Sequence, residues 1–525
     1  MVLFFNLSSV LPGLVVLAKP HQLKFHPLFM PGMVLQREVN TAVWGVGSLQ
    51  GSEVTAEIHC IGRDGRELGR VSEGLVERQG GWEVKLQPQD AGTVCDIVIL
   101  GTSLELQGLI FGDVWLCSGQ SNMEQKMRNI ENWEEEIRIS RNYSNIHFMD
   151  LERKQSEHKE DLTYEDIAIP WSDPSNMEML LNMSSVCFLT ARYWYDQLQV
   201  PIGLIGSNWG GTVIEAWSSA EALAECNPPP PKERHCNMSS DLSDKIARKN
   251  CNSFLWNAMI NPLKKNPIKG FLWYQGEANS HTKRKDFYNC TFPALIKSWR
   301  KEFSSHSETD IHAPFGFIQL APYREDPLFS GFPMIRWHQT AEYGYVPNPI
   351  MKNVFMGVSI DTYDPIPSPA YSNVGLHPRY KQVVAKRLAI AGMNVAYHDK
   401  SYPTNGPFPT LINWSDGDIR IKYDQEIDHR PSNSSHFFLC ALPLTSCDSS
   451  LSQSSWSPLS SSRIRKAGPE TIILGVSQYQ NLRNLSVISL AFLWRESPVK
   501  EYLGSSIYSR DEFALPSPPW KYSVR

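Results

Sequence analysis

The chain of 525 residues is 42% hydrophobic and 20% charged, a globular composition that excludes a disordered or fibrous protein. Its 50 Lys and Arg face 55 acidic residues, giving a net charge of -5 without the basic excess of a nucleic-acid-binding protein. Sixteen Trp residues suit contact with flat apolar faces such as sugar rings, although any single Trp is more often core.

Residues 1–18, MVLFFNLSSVLPGLVVLA, form an apolar run with small residues, Val16 and Ala18, at the positions a signal peptidase requires. This predicts a signal peptide and a mature chain starting near Lys19. A buried N-terminal strand or helix is the alternative, because no Lys or Arg precedes the run. Asn6, Pro12, Gly13 and the short length argue against a spanning helix, and no stable membrane insertion is expected. Glycosylation sequons at Asn142, Asn182, Asn237, Asn289, Asn413, Asn433 and Asn484 point to the same secretory route. So do ten cysteines, for which Cys226/Cys236 and Cys440/Cys447 flank short loops and are expected local pairs. With no CxxC and no HExxH, no metal site is expected.

Residues 19–110 alternate apolar and polar positions between glycines, the pattern of a small β-sandwich or barrel. From 111 to about 400 the pattern becomes strand followed by helix. DVWLC (113–117), PIGLIG (201–206), KGFLWYQ (269–275), FGFIQLA (315–321) and NVFMGVSID (353–361) each precede a helical segment. SNMEQKMRNI, with Met123, Met127 and Ile130 on one face, is the first of these. Such alternation predicts an α/β domain, a parallel sheet with helices on both faces and ligands beyond the carboxyl ends of its strands. Residues 401–525 return to strand-like segments around a Ser-rich loop, and NPPPPKERHCNMSSD (227–241) reads as an inserted loop.

The first strand ends in Ser118-Gly119-Gln120-Ser121, placing Ser121 on a strand-to-helix bend beside unpaired backbone N–H groups. Nucleophile and helix cap are equal readings of that serine on spacing alone. The second strand ends in adjacent glycines, Gly210 and Gly211, where backbone can approach a ligand closely or simply turn. The third ends in Gln275-Gly276-Glu277-Ala278-Asn279, with amide donors and a carboxylate near one turn. Asp361 closes the last strand and His377 precedes the final helix. The order Ser…Asp…His suits a nucleophile, an orienting acid and a general base. His338 is the rival base.

GDVWLCSGQSNM, GSNWGGTVIEAW, WYQGEAN and LHPRYKQ together resemble the sialate O-acetylesterases of the SGNH hydrolase superfamily. The resemblance implies a flavodoxin-like α/β/α catalytic domain and a serine esterase without metal or other cofactor. It also implies O-acetylated sialic acid, free or on glycoconjugates, as substrate, and a lysosomal or secreted location. It makes Ser121 the nucleophile and His377 the base. The N–H groups of Ser121 and of the Gly210-Gly211 pair, with the Gln275 amide, become the oxyanion donors. Many superfamily members carry the acid three residues before the histidine, where this chain has Val374. Asp361 is therefore the expected acid, with Asp364 or a Ser–His dyad on a backbone carbonyl as alternatives. Arg336 and Arg379 are candidates to hold the sialate carboxylate. The rival readings are an esterase for another acetylated glycan such as xylan, and a decayed glycan-binding protein.

Overall fold

The computed structural model describes residues 23–47, 54–78, 81–231, 236, 248–324, 331–415, 418–440, 456–476 and 488–524. The expected signal peptide, Asn237 and Asn484 lie outside them.

The catalytic part is built on a twisted sheet of seven strands: β1 (Glu105–Gly119), β2 (Ile146–Leu151), β3 (Ile167–Ser172), β4 (Ile202–Asn208), β5 (Gly270–Tyr274), β6 (Phe315–Gln319) and β7 (Val354–Val358). Their spatial order is β3-β2-β4-β1-β5-β6-β7, parallel throughout except for the antiparallel edge strand β3. Five of the seven were expected. β2 and β3 were not, because His147 and Asp150 interrupt the apolar run of β2.

Both faces of the sheet are buried, so its strands are apolar runs rather than alternating patterns. On one face Trp115 of β1 packs 4.5 Å from Trp194 of helix α2 (Ser185–Leu198), which also contacts the final catalytic helix α4 (Lys381–Ala396). On the other, Phe271 and Trp273 of β5 meet Trp299 of helix α3 (Tyr288–His306) at 5.6 and 5.7 Å. This is the expected three-layer α/β/α arrangement.

The helix expected over SNMEQKMRNI is only one turn, α1 (Ser121–Glu124), followed by a separate 3-10 turn at Met127–Asn129. Tertiary pairing overrides the periodicity. Met127 N–H donates to Met183 O and Ser185 N–H to Gln125 O, a strand-like clasp that pulls residues 125–127 out of the helix.

β1 is long because it serves two sheets. Its first half pairs with Val94–Ile99 and with Val34–Gln36 of the N-terminal β-rich part, and its second half is the centre of the catalytic sheet. The boundary expected at residue 110 thus falls inside one strand. Beyond residue 409 the chain is β-rich again, in small antiparallel sheets.

Four disulfides lie wholly among the described residues: Cys60–Cys95, Cys117–Cys187, Cys226–Cys290 and Cys236–Cys251. The expected Cys226/Cys236 pair is therefore wrong. Cys226 ends a helix that packs on α3, where Cys290 lies. Cys440 is also disulfide-bonded, and its expected partner Cys447 lies outside the described residues.

Candidate active site

The carboxyl ends of β1, β4, β5 and β7 converge on a cleft of about 650 Å3. Its floor is the end of β1. Gly119 has φ +140°, and a Cβ there would sit 2.2 Å from Tyr274 O, so only glycine lets β1 and β5 close up before the bend. Gln120 follows in extended conformation, and its carbonyl accepts from Met123 N and Glu124 N to start α1. Ser121 is the first residue of that turn, so its own N–H has no intrahelical acceptor.

Ser121 Oγ lies 2.8 Å from His377 Nε2. The sequence expected this pair, and the fold brings it together across 256 residues. His377 is carried by the loop between β7 and α4, and two contacts fix it. The Tyr371 ring stacks on the imidazole with centroids 3.9 Å apart and planes 21° apart. The preceding carbonyl, Leu376 O, accepts from Asn122 Nδ2 at 2.9 Å. Asn122 is itself held by the Glu277 carboxylate at 2.6 Å and by Lys381 Nζ at 2.7 Å. Burial, reinforced by the Lys381 charge, pushes the His377 imidazole down to about 3, so it is a neutral base at ordinary pH. Burial likewise brings Lys381 down to about 7, against Glu277 and Asp364, which pull the other way.

Among the described residues no carboxylate completes a triad. His377 Nδ1 is enclosed and makes no hydrogen bond. Asp361, the expected acid, grips Arg387 of α4 through both oxygens, at 2.6 and 2.9 Å, and accepts from Tyr508 Oη at 2.5 Å. Asp364 is taken by Arg379 and by the Ile366 N–H. Both acids follow the end of β7 as expected, but an arginine holds each, buried Arg387 on Asp361 and half-buried Arg379 on Asp364. The rival base His338 faces Lys285 O and Glu342, outside the cleft lining.

Other expected site residues are not where the chemistry is. Gln275 is fully buried, donating to Thr212 O at 3.0 Å and Asn279 Oδ1 at 2.8 Å and accepting from Tyr288 Oη at 2.9 Å. It does not line the cleft. Gly210 and Gly211 do, but the Gly210 N–H donates to Glu124 Oε2 at 2.7 Å. A Cβ at Gly210 would meet that same oxygen at 2.9 Å and Ser121 Cβ at 3.2 Å, so the close approach to the serine is real. Arg336 is fully buried and spends its guanidinium on the carbonyls of Leu320, Ala321, Arg495 and Glu496. It ties the catalytic part to the C-terminal region. Arg379 bridges Asp364 and Glu131.

Different cations line the cleft. Arg128, Arg153, Lys249 and Lys126 all border it. Arg153 pairs with Glu124 and Lys126 with Asp150. Lys249 Nζ donates to Gly210 O at 2.6 Å and lies over the Trp209 ring. Arg128 is exposed and makes no ion pair or hydrogen bond among the described residues. Arg128 and Lys249 lie in single 3-10 turns, and no local pattern in the sequence singles out any of the four.

The arrangement is that of an acyl-transfer site: a hydroxyl, a neutral imidazole and a helix-start N–H at the floor of an open polar cleft. Comparison with known proteins points to an esterase. Residues 111–311 match the family described as carbohydrate esterase, sialic acid-specific acetylesterase. Residues 410–524 match the sialate O-acetylesterase C-terminal domain. Sialate O-acetylesterase of Mus musculus is 36% identical over 524 residues, covering 93% of this chain and 92% of the relative. That of Homo sapiens is 36% identical over 506 residues, covering 93% and 90%. The crystal structure of a carbohydrate acetylesterase from Xanthomonas citri superposes with a TM-score of 0.72 at 23% identity, over 95% of this chain and 99% of that one. With identity at this level along nearly the whole of both chains, this esterase belongs to the sialate O-acetylesterase family.

Proposed function

We propose that this protein removes O-acetyl groups from sialic acids through an acetyl-enzyme on Ser121. The Ser121 Oγ to His377 Nε2 contact of 2.8 Å carries the reading. Ser121 Oγ attacks the acetyl carbonyl carbon while His377 Nε2 takes its proton, and the carbonyl π pair moves onto oxygen. Collapse of that tetrahedral anion re-forms the carbonyl and expels the sugar oxygen, which takes the proton from His377. Water, deprotonated by the same imidazole, then attacks the acetyl-enzyme, and collapse of the second tetrahedral anion releases acetate and expels Ser121 Oγ, which takes the proton back from His377.

The base works as half of a dyad. With Nδ1 unpartnered, the ring is held by the Tyr371 stack and the Asn122–Leu376 tie rather than by a carboxylate. Arg128 and Lys249 take the sialate carboxylate, which a xylan chain lacks, and this favours sialic acid over a neutral glycan. The 9-O-acetyl group fits best, since it ends a flexible side chain and can reach the cleft floor while the ring carboxylate stays at the cationic border.

The surroundings of the chain support a lysosomal or secreted enzyme. Four disulfides suit an oxidising compartment, and the sequon residues Asn142, Asn413 and Asn433 are exposed.

The test is acetate release by purified protein from 9-O-acetylated sialic acid and from acetylated xylan, beside Ser121→Ala. Release from sialic acid that the variant abolishes is expected. Equal turnover by Ser121→Ala would refute the nucleophile, and preference for xylan would refute the substrate.

A further inference from the structure

We infer that the side-chain amide of Gln120 donates to the oxyanion; this rests on the reading of Ser121 as nucleophile. A tetrahedral anion at Ser121 requires N–H donors within about 3 Å of its oxygen. The Ser121 N–H is one. Among the other donors expected from sequence, Gln275 is enclosed in its own network and the Gly210 N–H is bonded to Glu124.

Gln120 directly precedes the nucleophile and lines the cleft although almost fully buried. Its Oε1 is the meeting point of three donors: Gln275 Nε2 at 3.2 Å, Ala278 N at 3.1 Å and Gly276 N at 3.5 Å. Two of these are backbone N–H groups that cannot reverse, so the atom they meet is the oxygen and the amide cannot flip. The nitrogen is thereby turned away from the 275–278 loop. Nε2 makes no hydrogen bond among the described residues, yet it is not one of the enclosed polar atoms lacking a partner. It therefore opens on the cleft that Gln120 lines. Gln275 thus acts one step back, as the residue that orients the donor.

Two measurements test this. Gln120→Glu keeps an oxygen for the three donors and replaces the free N–H by a carboxylate oxygen. The expected result is a fall in kcat of about 10²–10³-fold with little change in KM. A purely structural Gln120 would let this variant work near the wild-type rate, and that result would overturn the inference. The second measurement uses the wild-type protein: a crystal structure after reaction with a fluorophosphonate. The phosphoryl oxygen of the Ser121 adduct is expected at about 3 Å from Gln120 Nε2. An adduct whose oxygen lies clear of Gln120 overturns the inference alone, whereas failure of Ser121 to react overturns the nucleophile assignment beneath it.

Discussion

Replacing Asp361 by Asn separates two roles that sequence alone leaves fused, an orienting acid and a structural clamp. The carboxylate is fully buried and receives two bonds from Arg387 and one from Tyr508. An asparagine has the same shape but one acceptor oxygen. Whichever way its amide turns, a donor faces a donor at one of those three contacts, and buried Arg387 loses its counterion. Breaking a buried ion pair from one side costs about 3–5 kcal/mol. The expected outcome is a loss of that size in urea unfolding followed by Trp fluorescence. The kcat of the folded variant should stay within about threefold, under 1 kcal/mol of activation free energy. Because Tyr508 belongs to the C-terminal region, the loss should include loosening of that region. An Asp361→Asn protein with wild-type stability and kcat reduced about 10⁴-fold would refute this reasoning and restore a triad.

Three further outcomes are expected. His377, held down to about 3 by burial, keeps its base form in acid, so kcat/KM should show no limb near 6.5. The linked stability term has the opposite sense to a salt-bridged histidine: the unfolded chain takes up the proton first, so stability is complete above about 6.5 and falls as pH drops toward 3. A pH–rate profile with its acid limb at 6–7 would contradict this. Arg128→Ala should raise KM for O-acetylated sialic acid by about 10-fold or more, the worth of a charge-assisted hydrogen bond, and leave an uncharged aryl acetate unaffected. Equal effects on both esters would remove the carboxylate role. Protein from a eukaryotic secretory host should lose apparent mass on enzymatic deglycosylation, and an unchanged band would contradict the secretory reading.

What the sequence carried well was position along the chain. Apolar runs located five strands of the sheet, and the four motifs at their ends pointed to the family and to Ser121 and His377, which the fold brings within 2.8 Å. What it did not carry was the direction of a side chain at a strand end. Gln275 and Gln120 both sit beside the cleft in sequence, yet only Gln120 lines it, a difference set by which backbone N–H groups meet Gln120 Oε1. The partners of charged residues were equally illegible. Asp361 meets Arg387 26 residues later and Tyr508 147 residues later, and no local pattern announces either pairing. Arg336 looked like a substrate ligand because arginines beside clefts often are, but its guanidinium is used up by four carbonyls.

The shared strand β1 imposes an order on biosynthesis. Its first half can pair as soon as it emerges, because Val34–Gln36 and Val94–Ile99 precede it. Its second half, with buried Val114, Trp115 and Leu116, must wait for β4 at Ile202–Asn208 and then for β5 at Gly270–Tyr274. At ribosomal speed that wait is on the order of 10 s. Throughout it, a nascent N-terminal part would hold out an apolar strand with two open edges, the form most prone to pairing with another chain. The segment that carries Ser121 is thus the one on which chaperones would have most to do. The disulfide from Cys117 to Cys187 can close before either flanking strand is made, and would be the first covalent check on its escape.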